Sequence, residues 1–444
     1  MVSRHLSALR TAIGQVGGSA SLARLLALAH ARLYVNTFYL IGSALIAGVG
    51  GFGFWVLAAR RTTLEAVGIT TAIISSAGLL SAIADMGLIA AAIYFAAAQP
   101  QRATGFANTA VAAAWAAVGV AAALFVAGSP LWAPALDLLR QDGWLLLLFM
   151  GFTLLNHQLM VQDSLILARQ RAEFIFWRNV ACSLPSIPLL LLMTPQLGGL
   201  HGLLAAYTLP NMLVSLAIGQ YLLPRLLPGY RALGRLDRSL VGEMLAYSLP
   251  TFAANLLWGG AGLLFPLIAI NLVGPSSAGS FAMSWALLSL ALVLPRSICT
   301  SIFVEGSADA TQLRRLTDQA LQLILVAALP ATLLLWVVGP LLLELFGPSY
   351  RDEGALRLLV CSIIPFGVNG VAFMALRIRR QLRAAMAYGG LLTAAPGLLA
   401  IGFAPHYGAL GLAWGWLLGH TAVALAALLW AAQARPRRAQ EVSQ

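Results

Sequence analysis

From residue 34 to residue 432, apolar stretches long enough to cross a bilayer alternate with short polar interruptions. A hydrocarbon core of about 30 Å takes roughly 20 apolar residues in an α-helix. The pattern predicts an all-α membrane protein with twelve spanning helices, near residues 34–59, 65–98, 104–128, 143–168, 174–194 and 200–224, then 242–273, 276–304, 317–346, 355–376, 384–404 and 408–432. Several runs are longer than the core at about 1.5 Å per residue, so those helices are expected to tilt, bend or project. Pro250, Pro266, Pro295, Pro330, Pro340 and Pro365 lie inside runs and mark expected kinks, because proline removes a helical donor and crowds the carbonyl four residues earlier.

Composition narrows the function classes. The 444 residues are 60% apolar and 9% charged with a mean hydropathy of +0.85, against about 25% charged in soluble domains. The longest polar stretch between spans, residues 225–241, falls far short of the roughly 50 residues of a small domain, which excludes catalysis by an inserted soluble module. All 27 basic residues are arginine. Without lysine the chain has neither a Walker A phosphate loop nor a pyridoxal Schiff base, and transport energy must come from an ion gradient, a separate subunit or the substrate's own gradient. Cys182, Cys299 and Cys361 are too far apart for a metal motif and read as small core residues. No GxSxG, HExxH, DxD or paired-cysteine motif occurs. No catalytic residue, metal or cofactor is expected.

The arginines orient the chain. With a cytoplasmic amino terminus, one set of termini and loops holds 21 of them and the opposite set five, Arg60, Arg61, Arg140, Arg351 and Arg357. Cytoplasmic loops carry such an excess, so both termini are expected in the cytoplasm and an even number of spans is favoured. The same bias accounts for the formal charge of +12 without a nucleic-acid partner. The expected organisation is a cytoplasmic segment 1–33, a six-helix lobe 34–224, a basic linker 225–241, a second six-helix lobe 242–432 and a cytoplasmic tail 433–444. A shift of 211 positions superposes the turn ending at Gly68 on the turn ending at Gly279 and sets Asp85 on Arg296.

An arginine or aspartate at the centre of a span costs roughly 2.5–3.5 kcal/mol on an insertion scale, so Asp85 and Arg296 are the leading functional candidates. If repeats related by an axis along the membrane normal place them at equal depth, they face each other or share a substrate. Arg296 is a bidentate receptor for phosphate or carboxylate, a structural ion-pair partner of Asp85, or an arginine that snorkels to an interface. Asp85 is an ion-coupling group, a partner of Arg296 or a cap for the turn Asp85-Met86-Gly87. Asp163, in the polar patch Asn156, His157, Gln158, Gln162 and Asp163, is a second candidate for ion coupling or pairing. Asn36, Asn255 and Asn369 are candidate substrate contacts, each with interhelical hydrogen bonding as the simpler account.

The turn TTLEAVG (62–68) followed by LLSAIADMGLIAAAIYF (79–95), and the second pair YSLPTFAANLL (247–257) and NLVGPSSAGSFAMSWALLSLALVLP (271–295), resemble the two lobe openings of the polysaccharide exporters, or O-antigen flippase-type proteins, of the superfamily that also holds the MATE multidrug exporters. The resemblance covers residues 34–432. It implies twelve helices in two pseudo-symmetric six-helix lobes around a central cationic cavity, and flipping of an undecaprenyl-diphosphate-linked oligosaccharide across the bacterial inner membrane by alternating access. It implies membrane lipids and the lipid-linked oligosaccharide as partners, with a polysaccharide polymerase and glycosyltransferases as candidate partners. Asp85 matches the family's aspartate at the end of helix two. The chain departs from the family at LLFPLIAI (263–270), where an acidic residue is frequent, and at Val304-Glu305-Gly306, where a proline often stands. The alternative within the superfamily is an ion-coupled multidrug or small-molecule exporter.

Overall fold

The computed structural model describes residues 19–309, 312–351 and 353–433. The first eighteen residues of the expected segment 1–33, and all of the expected tail beyond Gln433, lie outside the described residues. The described chain is helical and contains no strand. Eleven of its helical segments are long and apolar enough to cross a membrane. The longest, Arg238–Ser307, turns at Gly274 (φ 81°, ψ 165°), and taking it as two crossings brings the number to twelve. The helices are α1 Ser19–Arg61, α2 Leu64–Asp85, α3 Leu88–Ala98, α4 Ala103–Ala127, α5 Gly143–Ala168, α6 Ala172–Leu197 and α7 Gly199–Ala217. After the linker come α8 Arg238–Ala291, with two arms about Gly274, α9 Val293–Ala308, α10 Leu313–Phe346, α11 Glu353–Cys361, α12 Ile363–Ile378, α13 Leu382–Tyr407 and α14 Ala409–Gln433. Large apolar side chains such as Val326, Leu333 and Val337 on α10 remain exposed, as a lipid-facing surface requires.

Three of the expected continuous spans are broken, each for an identifiable reason. The run at 65–98 divides into α2 and α3 because Met86 and Gly87 take left-handed conformations, with φ of 46° and 76°. The run at 276–304 divides at Leu292, and the run at 355–376 at Ser362. Both breaks follow from proline: α8 ends at Ala291 and α11 at Cys361, the residues whose carbonyls would meet the rings of Pro295 and Pro365. Pro250, Pro266, Pro330 and Pro340 are instead carried inside α8 and α10. At the second break Trp416, buried in the core, donates its indole N–H to Ser362 Oγ at 2.9 Å.

The two halves meet along α2 and α8. At the end holding the 61–64 and 273–276 turns, their backbones touch through glycine. A Cβ at Gly68 would lie 2.0 Å from Pro275 O, and one at Gly279 2.0 Å from Leu64 O. The contact is reciprocal, and its two glycines are those superposed by the 211-residue shift. Around it Arg60 donates to Leu345 O at 2.6 Å, and Phe52 packs edge-on against Phe346. At the linker end, Ser248 Oγ donates to Met86 O at 2.9 Å and Tyr94 stacks on Tyr247, ring centroids 4.3 Å apart.

Leucine at Gly279 is expected to force these backbones apart and cost about 1–3 kcal/mol, the usual range for overpacking. Its effect reads as a melting temperature in detergent several degrees below wild type. Leucine at Gly402, around which a Cβ meets nothing within 4 Å, leaves the temperature unchanged.

Candidate functional site

Arg296 lies on the first turn of α9, just past the proline break, with its side chain exposed. Its guanidinium carbon stands 5.5 Å from the ring centroid of Phe366 on α12. Phe366 is itself buried and packed on Trp258 and Trp416, so the cation rests on a fixed aromatic surface. Contact with an aromatic face contributes about 0.5–2 kcal/mol and leaves the N–H fork available. One guanidinium nitrogen reaches to 3.9 Å from the position of a Cβ at Gly262 in the first arm of α8. The next residue, Leu263, approaches within 3.4 Å of the Cβ position of Gly78 on α2. The arginine is therefore held beside the seam between the two halves. No ion pair among the described residues involves it.

Small polar residues follow Arg296 along α9. Ser297, Thr300 and Ser301 are exposed on α9 and bond back to the carbonyls of Val293, Arg296 and Ser297. Asn255 is exposed on the first arm of α8, four and seven residues before Gly259 and Gly262, which puts the three on one helix face. A Cβ at Gly259 would meet nothing within 4 Å, and the same holds for Gly48 and Gly51 of α1. The 211-residue shift superposes Gly48 on Gly259 and Gly51 on Gly262, so both halves leave open space at matching points.

Arg377 is a functional candidate that sequence reasoning missed, because its charge groups it with the cytoplasmic loops. It belongs to the last turn of α12, with its guanidinium carbon 4.3 Å from the centroid of Phe303 on α9 and 5.8 Å from that of Phe373. It too takes part in no ion pair among the described residues. Phe303 is seven residues beyond Arg296, about 10 Å along the helix. Two uncompensated guanidinium groups thus follow the α9–α12 interface from the seam toward the linker end. Arginine four residues after phenylalanine on α12 was the available sequence signal.

Asp85 is committed elsewhere. Its carboxylate accepts hydrogen bonds from Gly87 N at 3.0 Å and Ile89 N at 3.4 Å, capping α3 across the turn. That turn packs on Ser248 and Phe252 of α8, whereas the Arg296 guanidinium reaches Gly262. Some twelve residues of helix, about 18 Å, separate the two contacts, and the two side chains form no ion pair. The remaining candidates are also drawn into the bundle. Asp163 is ion-paired with Arg178 of α6 at 2.7 Å, their side chains 24% and 17% exposed. Asn36 accepts from Ala172 N at 3.3 Å, joining α1 to the start of α6. Asn369 is fully buried, donates to His420 O at 2.9 Å and accepts from Tyr388 Oη–H at 2.8 Å. It ties α12, α13 and α14 together and is not presented to open space.

This arrangement has known counterparts as a fold. The structure is similar to that of the lipid II flippase MurJ in an inward closed conformation, with a TM-score of 0.71 at 13% identity over 89% of this chain and 87% of that one. It is also similar to a multidrug resistance MATE family transporter of the MOP superfamily in an inward-facing conformation, with a TM-score of 0.63 at 18% identity over 90% and 94% of the two chains. A MOP superfamily transporter from Pyrococcus furiosus matches with a TM-score of 0.52 at 18% identity over 91% and 93%. The fold is that of the MATE-like membrane transporters. A family model described as polysaccharide biosynthesis protein matches residues 33–303, and the chain belongs to that family. No curated protein sequence matches it significantly.

Leucine in place of Arg178 leaves the Asp163 carboxylate unpaired and is expected to cost about 3 kcal/mol. Leucine at both positions recovers most of that loss. A melting temperature of the Arg178→Leu variant equal to that of wild type would show that the pair contributes nothing.

Proposed function

We propose that this protein flips an undecaprenyl-diphosphate-linked oligosaccharide across the bacterial inner membrane for surface polysaccharide synthesis, both termini lying in the cytoplasm. The observation that carries the reading is the Arg296 guanidinium, free of any carboxylate and held on Phe366 beside the seam. Arginine keeps its charge at any physiological pH and offers a planar fork that matches phosphate oxygens bidentately. A diphosphate lipid meets that fork with its head group and leaves its tail in the bilayer. In this reading Asn255 and the hydroxyls of Ser297, Thr300 and Ser301 contact the first sugars.

Alternating access needs two closures. The Gly68–Gly279 contact supplies one at the outer end. Its release, with the lobes 34–224 and 242–432 rocking about the linker 225–241, opens the path outward. Arg377 then meets the diphosphate near the cytoplasmic entrance, and Arg296 receives it deeper. A cationic drug would instead call for an uncommitted carboxylate in the path. Asp85 and Asp163 are both engaged, as a cap and as an ion pair, which favours an anionic cargo. Glycosyltransferases would supply the lipid-linked unit and a polymerase would consume it.

Alanine at position 296 is expected to abolish surface polysaccharide at an unchanged protein level. Lysine there retains a fraction, because it keeps the charge without the fork, and alanine at 377 gives a partial, severalfold loss. Normal polysaccharide in the Arg296→Ala strain would refute the anion-receptor role.

A further inference from the structure

The second half of the chain contains a cleft of about 1080 Å³ bounded by the start of α10, the end of α12, and α13 and α14. Its walls are apolar, including Leu321, Val371, Ala375 and Val423, and its rim carries Arg314, Asp318 and Arg379. Arg315, Arg380 and Arg383 are exposed within a few residues of that rim.

The corresponding space in the first half, 211 positions earlier between α4, α5, α6 and α7, is filled by the chain itself. The segment after α7 folds back into it and buries Leu227 and Tyr230. Asn108 holds that segment by donating to Gly229 O at 2.9 Å and accepting from Arg231 N at 2.8 Å. Gln158 donates to Ala232 O at 2.9 Å, and Gly234 passes so near α4 that a Cβ would lie 2.3 Å from Asn108 O. The shift superposes Gln158 on Asn369, whose amide is turned instead to His420 and Tyr388. Among the described residues, no segment fills the second cleft. An apolar cleft in a bilayer offers water too few polar partners to hold it.

We propose that this cleft binds an anionic glycerophospholipid of the surrounding membrane, with one acyl chain along the walls and the phosphate between Arg314 and Arg379. Charge complementarity selects the occupant. The rim is basic and lies at the linker end, where basic pockets between transmembrane helices take acidic lipid head groups. The chain's own residues 434–444 carry Arg435, Arg437 and Arg438 and repeat the sign of the rim, so they match it poorly. The bound lipid does for the second half what residues 227–237 do for the first, packing the surrounding helices about a common filler. This lipid is distinct from the transported cargo and leaves the Arg296 path untouched.

Native mass spectrometry of the full chain, equilibrated with equal amounts of phosphatidylglycerol and phosphatidylcholine, tests the proposal. Wild type is expected to retain the anionic lipid by at least about fivefold, the scale of a basic surface pocket. Arg314→Gln with Arg379→Gln removes that preference. Ala426→Phe, which fills the cleft from α14, removes retention of both lipids, and cooperative thermal unfolding verifies that it is folded. The rim pair, being at the surface, serves where the filled variant does not fold. Equal retention of the two lipids by wild type, or an unchanged preference in the rim variant, overturns the proposal. So does preference for undecaprenyl phosphate over phosphatidylglycerol, or a disulfide between Arg437→Cys and Ala426→Cys in the lipid-saturated protein.

Discussion

Two peptide carbonyls, those of Leu64 and Pro275, stand where side chains of the opposite helix would otherwise begin. The close approach of α2 and the second arm of α8 depends on glycine at 68 and 279, and much of the molecule follows from it. Hydrophobic burial gives helices no net reason to associate within lipid, so close backbone packing through small residues has to supply it. The contact fixes the turn end of the seam, while Tyr94, Tyr247 and Ser248 hold the linker end through side chains.

The acidic and basic side chains within the bundle differ in what holds them. Asp85 and Asp163 serve the bundle itself, Asp85 by capping a helix start and Asp163 by neutralising Arg178. The two cations on the α9–α12 interface have aromatic supports in place of counter-ions. Support by a ring holds a guanidinium in position without consuming its hydrogen-bond donors. The break at Leu292 separates α9 from α8, and the Arg296 guanidinium on the first turn of α9 comes to 3.9 Å from the Cβ position of Gly262.

Much of the fold is legible in residue patterning. Apolar runs locate the crossings, and the repeat that superposes Gly68 on Gly279 picks out the two glycines of the interlobe contact. Which prolines break a helix is not legible, because Pro295 and Pro330 both stand in apolar runs, yet the helix breaks before the first and continues through the second. The site is legible in its types of residue but not in their directions. Asp85 and Arg296 are equivalent in sequence, yet a two-residue turn after one and a proline break before the other send their side chains to different levels. Asn369 and Asn255 look alike as single amides in apolar runs; one is consumed by three helices and the other is exposed. Arg377 escapes notice because loop and helix end are indistinguishable by charge alone.

Reconstituted transport tests the central claim most directly. Proteoliposomes carrying the purified chain and a fluorescent diphosphate-linked oligosaccharide, scored by the fraction reached by an added membrane-impermeant quencher, report flipping without the rest of the pathway. The account predicts protein-dependent flipping of the diphosphate lipid that is lost with Arg296→Gln and absent for a lipid of the same tail and sugar joined by a neutral link. Equal flipping of the charged and neutral lipids, or full activity of the Arg296→Gln protein, would contradict it.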